Sequence, residues 1–416
     1  MIHAMQRQRL ILIIAIIIAS AGGFGGGYGY YRYQNASTVD SIIKNVINKD
    51  DGQAAAVDFG LFWQVWDKLN DRFVDKEKLD SQKLVYGAIE GMVAAAGDPY
   101  TVFFEPVTSK KFQEEVSGAF SGVGMEIGKR NDVITVIAPI KDSPAMRAGV
   151  KAGDVVVKVD GAVTDGWSVE EAVSRIRGKK GTTVRLTLAR EGAQDLIELS
   201  LIRDTIKVPA ADWRMLDNKV AYLAIYAFNG NLDDEFARAA KELTDAGAQR
   251  LIIDMRNNPG GLLDSAVNIA GWMLQKDSLV VQERYSTGLT DQLRAGGNAR
   301  LASLPTVVLI NGGSASAAEI LAGALHDIRN VPLVGERSFG KGSVQQLEGF
   351  YNGSSLKVTV AKWLTPNGIS ISDTGISPTD EVKIDPKEYN EKGWEIGVAG
   401  KDPQLDKALV VVQQLR

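Results

Sequence analysis

The sequence predicts an α/β core with an inserted β-rich domain, preceded by a helical segment and an apolar N-terminal leader. Three observations lead there. From about residue 207 onward, strand-like and helix-like apolar segments alternate, the pattern of a layered and partly parallel sheet. Between about 118 and 206, short β-rich runs are separated by Gly and Asp turns. The first residues hold a long uncharged apolar run.

That run follows Arg7 and Arg9 and begins with Leu10 to Ile18; no charge returns until Arg32. About 22 uncharged residues suffice to cross a hydrocarbon core of ~30 Å as a helix. Gly22, Gly23 and Gly25 to Gly27 dilute the second half, and Ala19-Ser20-Ala21 has the small residues of a cleavage site. Residues 1–32 therefore read as a membrane anchor or a signal segment. Either sends the rest of the chain across the membrane, and the run predicts an N-terminal anchor with the remainder of the chain extracytoplasmic. Residues 33–56 read as a polar tether.

In 57–117 two helical stripes are expected to be core. Phe59, Phe62, Trp63, Trp66 and Leu69 form the first; Leu84, Ala88, Ile89, Met92 and Val93 form the second, which stops at Gly97-Asp98-Pro99. In 118–206, strands are expected at Val133–Ile137, Val155–Val159 and Val184–Leu188. A helix from Ser168 to Ile176 opens on a Ser168/Glu171 capping box. In 207–395, strands are expected at Val220–Phe228, Leu251–Asp254 and Thr306–Ile310. Helices are expected at Leu232–Asp245, Leu262–Leu274 and Ala315–Ile328. Residues 396–416 close the chain with a helix from Leu405 to Leu415.

Composition removes several chemistries. The chain has 416 residues, suited to several compact units, with 45% hydrophobic and 24% charged residues and a net charge of -4. That balance lacks the basic stripe of a nucleic-acid binder. Cysteine is absent, which excludes thiol nucleophiles, disulfides and cysteine metal sites. Histidine occurs only at His3 and His326.

The stretch richest in chemistry is Asn311-Gly312-Gly313-Ser314-Ala315-Ser316-Ala317-Ala318-Glu319-Ile320. An apolar strand enters a glycine turn and a helix begins, so unpaired N–H groups are available to developing negative charge. Serine there is placed as a nucleophile, although capping is its plainer role and Ser314 competes with Ser316. His326 lies ten residues past Ser316 on the same helix, about 15 Å along the axis, too far to be its base. A desolvated lysine is the other option. Lys341 is the candidate, between Gly340 and Gly342 and beside Phe339, against the plainer reading of a solvated turn lysine. Gly335 to Lys341 also fits the start of a phosphate-binding loop, but Gly342 stands where Ser or Thr must hold magnesium, and a strand follows.

Together, Asn311 to Ile320 and Gly340-Lys341-Gly342-Ser343-Val344-Gln345 resemble the carboxyl-terminal processing, or tail-specific, peptidases. Further stretches match in order: Gly97 to Thr101, Phe120 to Gly124, Arg177 to Gly181, and Asp254 to Gly261. The resemblance implies a core of crotonase/ClpP-like type and a Ser-Lys dyad aided by glutamine. The family's serine three residues before the motif glutamate selects Ser316; its lysine falls on Lys341 and its glutamine on Gln345. Positions four apart on an alternating strand share a face, so Lys341 and Gln345 are expected in one cleft. The oxyanion donors fall on N–H groups near Gly260 and Ala317. Ala318 stands where serine is common, a mild departure.

Ser121 to Ile127, with Ser143 to Asp154, resembles a PDZ domain. The resemblance implies a peptide-binding loop and strand at Gly122, Val123, Gly124, Met125 and Ile127, and a groove lined by the helix Val169 to Ile176. Arg177 is expected to link the two domains when a peptide is bound. The implied partners are polypeptides with free C-termini and the membrane, with an adaptor protein and a homodimer left open; no nucleic acid, cofactor or metal is implied. The implied function is a serine endopeptidase cleaving near the C-termini of extracytoplasmic proteins. Its rivals are a non-catalytic PDZ scaffold with a degenerate peptidase domain and an acyl-CoA enzyme of the same fold.

Overall fold

The computed structural model describes residues 58–415. The chain divides into two compact units after Gly87. In the first unit, helix α1 (Gly60–Arg72) is followed by helix α2 (Ser81–Ala94), which runs across the boundary. The apolar stripes are helical as expected, but they are not core. No residue of α1 is buried, Phe59 is 56% exposed and Met92 67%, and α2 buries only Tyr86. The α1 aromatics pack on one another instead, Phe62 and Trp63 edge to face at 4.8 Å. Periodicity identifies the apolar face of a helix without saying what covers it.

The membrane anchor is corrected. Among the described residues, no helix is long and apolar enough to cross a membrane. The longest have 14 residues, about 21 Å at 1.5 Å per residue, against a core of ~30 Å. Residues 1–32, on which the expectation rests, lie outside the described residues, so neither the anchor nor the extracytoplasmic placement that depends on it is shown.

The second unit opens with β1 (Val102–Phe104) and α3 (Pro106–Ser117). Then come β2 (Ala119–Gly122), β3 (Met125–Arg130), β4 (Val133–Pro139), α4 (Pro144–Arg147), β5 (Val155–Val159), β6 (Ala162–Val163), α5 (Val169–Ile176), β7 (Thr183–Ala189), β8 (Ile197–Ile202) and β9 (Asp204–Lys207). Strands β3-β4-β5-β7-β8 form one sheet around their own core of Val136, Val156, Leu186 and Leu188, which Ala172 and Ile176 of α5 complete. Ser168 caps α5 by accepting the Glu171 N–H. The β2–β9 ribbon lies at the base of this insert, where the chain enters and leaves.

The main sheet follows. It uses β10 (Ala211–Leu216), β11 (Val220–Ile225), β12 (Arg250–Asp254), β15 (Thr306–Ile310), β16 (Leu333–Gly335) and β19 (Asp380–Glu381), in that spatial order. Between them run α6 (Leu232–Asp245), α7 (Leu263–Met273), the hairpin β13 (Leu279–Tyr285) and β14 (Thr290–Arg294), α8 (Ala317–Arg329), and the hairpin β17 (Ser343–Gly349) and β18 (Ser355–Leu364). Helices α9 (Pro386–Glu391) and α10 (Pro403–Gln414) end the chain. From β11 to β19 the main sheet is parallel. Alternate residues therefore face opposite layers: Ala221, Leu223 and Ile225 meet the core of α6, α7 and α8, while Val220, Tyr222 and Ala224 meet α10. Because β12 and β15 run parallel, the turns after both emerge at one end of the sheet, where ligands bind in open α/β sheets.

Candidate active site

Those two turns are stitched together. Asn311 Oδ1 accepts the Asn257 N–H at 2.8 Å, Asn311 Nδ2 donates to Asn257 Oδ1 at 3.0 Å, and the Ala315 N–H donates to Asn258 O at 2.9 Å. Ser314 belongs to this stitching. Its hydroxyl donates to Met255 O at 2.7 Å, accepts the Asn311 N–H at 3.0 Å, and is fully buried. Its proton is committed to structure.

Ser316 is different. It stands half-buried at the N-cap of α8 with φ 54° and ψ -116°, a strained backbone for a residue with a Cβ. The turn before it is held by the bonds just described, so the strain persists. Ala317 N–H is in the first turn, where helix amides lack partners within their own helix.

Glu319 ties this turn to the lysine. Its carboxylate, fully buried, accepts the Ser316 N–H at 2.8 Å and the Lys341 N–H at 3.0 Å on the same oxygen, Oε2. Oε1 accepts the Ser338 hydroxyl at 2.6 Å and the Gly340 N–H at 2.8 Å. The backbones of Ser316 and Lys341 are thus no farther apart than two hydrogen bonds laid end to end. Burial pushes the Glu319 carboxyl up, against the four donors that hold it down.

The strap carrying Lys341 crosses residues 372–375 closely enough that Gly340, at φ 92°, has no room for a Cβ: one there would stand 2.9 Å from Gly375 N. Buried Trp363 also holds the strap, its indole N–H donating to Lys341 O at 2.9 Å. The ammonium is half-buried, with Nζ 5.1 Å from the centre of the Tyr100 ring; Phe339, expected beside it, is 56% exposed. Burial drives this amine below the ordinary lysine range and the Lys357 charge adds to the effect, while Glu319 and Asp98 oppose it.

Gln345 sits on β17, but the alternation argument for its placement fails. Lys341 precedes the strand, and a bulge falls between Val344 and Gln345. Its Nε2 donates to Ser343 Oγ at 2.8 Å and Thr359 Oγ1 at 3.3 Å.

Gly260 lies against the serine: a Cβ at its φ of 89° would sit 2.7 Å from Ser316 Cβ and 2.9 Å from Ala317 N. Only glycine fits there. Its own N–H donates to Asn258 Oδ1 at 2.9 Å. The expected pair of donors is therefore adjacent, with one of them engaged by a neighbouring side chain. His326, in the last turn of α8, has Nδ1 3.1 Å from Val331 O, a structural histidine.

Comparison with known proteins bears on these turns directly. Residues 219–382, which carry both, match peptidase family S41; residues 135–190 match a PDZ domain, and 17–108 the N-terminal domain of the activating protease CtpB. The carboxy-terminal processing protease CtpA of Bacillus subtilis is 41% identical over 78% of this chain and 70% of its own length. This chain belongs to peptidase family S41. The carboxy-terminal processing protease CtpB of the same organism is 37% identical over 74% of this chain and 64% of its own length. A crystal structure from Bacteroides fragilis that carries the S41 name superposes with a TM-score of 0.51 at 17% identity, over 84% of this chain and 97% of that one, a likeness of fold. The protein is a serine-type peptidase with a PDZ domain.

In the PDZ domain of this S41 peptidase, β3 is an edge strand, paired among the described residues with β4 alone. Between β3 and α5 runs a groove of about 210 Å³ lined by Val123, Gly124, Met125, Ile127, Val173 and Ile176. Gly122 ends β2 just before it, and Gly124 takes φ 75°. Arg177, at the end of the groove, packs on Phe120 at 4.2 Å and pairs with Glu114 of α3 at 2.9 Å, linking the PDZ domain to the segment before it.

In the sequence, Glu319 serves only to distinguish Ser316 from Ser314. Its spacing from Ser316, S-x-x-E before an apolar run, is the capping-box signal that would have found its role. Nothing local pairs Asp98 with Thr359, which lie 261 residues apart.

Proposed function

We propose that this S41 peptidase is an endopeptidase that captures the C-terminal tail of a polypeptide in the PDZ groove and cleaves nearby with a Ser316–Lys341 dyad on a core of crotonase/ClpP-like type. One observation carries the reading: the backbones of a strained, half-buried serine and a desolvated lysine are pinned to one carboxylate oxygen. The parallel sheet with helices on both faces supports the fold likeness.

In this scheme Ser316 Oγ attacks the scissile carbonyl while its proton passes to the neutral Lys341 Nζ. The tetrahedral oxyanion sits near the Ala317 N–H and the Gly260 turn; one such donor contributes about 3 to 4 kcal/mol to the transition state. Collapse breaks the C–N bond, and Lys341 returns the proton to the leaving amine. Water then attacks the acyl ester, gives a proton to Lys341, and Ser316 leaves reprotonated. Gln345 orients Lys341. The apolar groove accounts for a preference for apolar tails: the peptide adds as a strand beside β3.

The test is digestion of a tagged protein bearing a free or an amidated apolar C-terminus by wild type, Ser316→Ala and Lys341→Ala. Cleavage of the free-tailed substrate by wild type alone is expected. Full activity in both variants would refute the dyad, and equal cleavage of amidated tails would refute carboxylate capture.

A further inference from the structure

Residues Gly97-Asp98-Pro99-Tyr100-Thr101 belong to the family resemblance, yet the scheme above gives them no task. They form the turn between α2 and β1. Strand β1 pairs with β18, Val102 opposite Lys357, and β18 pairs with β17, Thr359 opposite Gln345. The turn is thereby delivered to the two residues flanking the proposed chemistry.

Its bonds run in one direction. Asp98 Oδ2 accepts the hydroxyl of Thr101 at 2.6 Å and that of Thr359 at 2.5 Å; Oδ1 accepts the Tyr100 N–H at 3.2 Å. The Thr359 N–H donates to Thr101 Oγ1 at 3.1 Å, closing the cluster. An ionised carboxylate only accepts, and a hydroxyl has one proton. Thr359 therefore spends its proton on Asp98 and turns a lone pair toward Gln345, whose Nε2 donates to it at 3.3 Å. The amide nitrogen of Gln345 is held against the hairpin, and its carbonyl oxygen is left to face a donor such as an ammonium. The same turn sets the Tyr100 ring 5.1 Å from Lys341 Nζ.

We propose that Asp98 is a positioning residue for the peptidase reaction, fixing the polarity of the Gln345 amide through Thr359 and seating Tyr100 against Lys341. The inference rests on Lys341 being the base. The charges acting on that amine are Asp98 and Glu319, which favour its protonated form, and Lys357 of β18, which disfavours it. Lys357 itself lies over the Phe104 and Phe112 rings at 5.5 and 5.4 Å.

The signs are separable. Asp98→Asn removes an attraction for the Lys341 proton, so the acid limb of the kcat/KM profile should move to lower pH. Lys357→Met removes a repulsion, so its limb should move to higher pH. Thr359→Val deletes the relay hydroxyl without altering charge. Its limb should stay in place while kcat falls about ten- to hundredfold with little change in KM, and Thr359→Ser should restore the rate. These profiles are measured on the full chain with a free-tailed substrate, with melting curves for each variant. If Asp98→Asn does not fold, the Lys357 and Thr359 variants carry the test. Wild-type kcat in Thr359→Val overturns the relay, and limbs that fail to move in the stated directions overturn the electrostatic part. A dead Lys341→Ala beside an unshifted Asp98→Asn sinks this inference alone, whereas an active Lys341→Ala sinks the dyad.

Discussion

Replacing Glu319 by Gln tests how the site is assembled. The carboxylate is fully buried and takes four donors, two on each oxygen. Glutamine keeps one acceptor oxygen, which satisfies one pair. Its NH2 must then face the other pair, most disruptively the N–H groups of Ser316 and Lys341. Hydrogen bonds to a charged group are worth about 1.5 to 3 kcal/mol each, so losing two costs about 3 to 6 kcal/mol. Against a usual total of about 5 to 15 kcal/mol the fold survives with a lowered urea midpoint. The two backbones meanwhile lose their common anchor, and a misplacement of ~1 Å costs about a hundredfold in rate. The assay is steady-state cleavage of a free-tailed substrate, with kcat and KM resolved, beside urea unfolding. A Glu319→Gln enzyme with wild-type kcat and an unchanged midpoint would refute the reasoning.

Three further outcomes are expected. Ser314→Ala should cost about 1 to 3 kcal/mol by orphaning buried partners while keeping measurable cleavage, whereas Ser316→Ala should fold normally and label with no serine-directed probe. Arg256→Met should destabilise by about 3 to 5 kcal/mol, because Arg256 holds Asp254 at 2.6 Å and Asp402 at 2.7 Å in a buried cluster. Burial alone would raise the Asp402 carboxyl, but its bonds to Arg256 and the Arg256 charge hold it below the usual range. That contribution is present above the ordinary carboxylate value and lost as pH falls through the depressed one, so the stability gap between wild type and Arg256→Met should be widest near neutral pH and narrow as pH falls. Val173→Arg should raise KM for apolar free tails at least tenfold with kcat nearly unchanged; an unaltered KM would remove the groove from substrate capture.

Much of the fold was legible because its signals are short in range. Helix α6 spans Leu232–Asp245 and β15 spans Thr306–Ile310, as periodicity and length indicated. Strands β1 and β14 are short or polar and carry little local signal; β1 is defined by pairing with β18 and β14 by pairing with β13, which itself joins β18. The stripes on α1 and α2 suggest core from the sequence because an apolar face is visible there and its cover is not. Alternation misplaced the reasoning for Gln345 because a bulge resets the register, and no local residue marks it.

The sequence by itself determined the strand–turn–helix setting of Ser316, excluded His326 as its base, and marked the family through ordered motifs. Tertiary structure decided which serine hydroxyl is already spent, what desolvates Lys341, and that Glu319 joins two segments 22 residues apart. The division has a physical cause. Backbone periodicity and turn chemistry act over a few neighbouring residues, whereas desolvation and hydrogen-bond partnership of a charged group are set by whatever the fold brings against it.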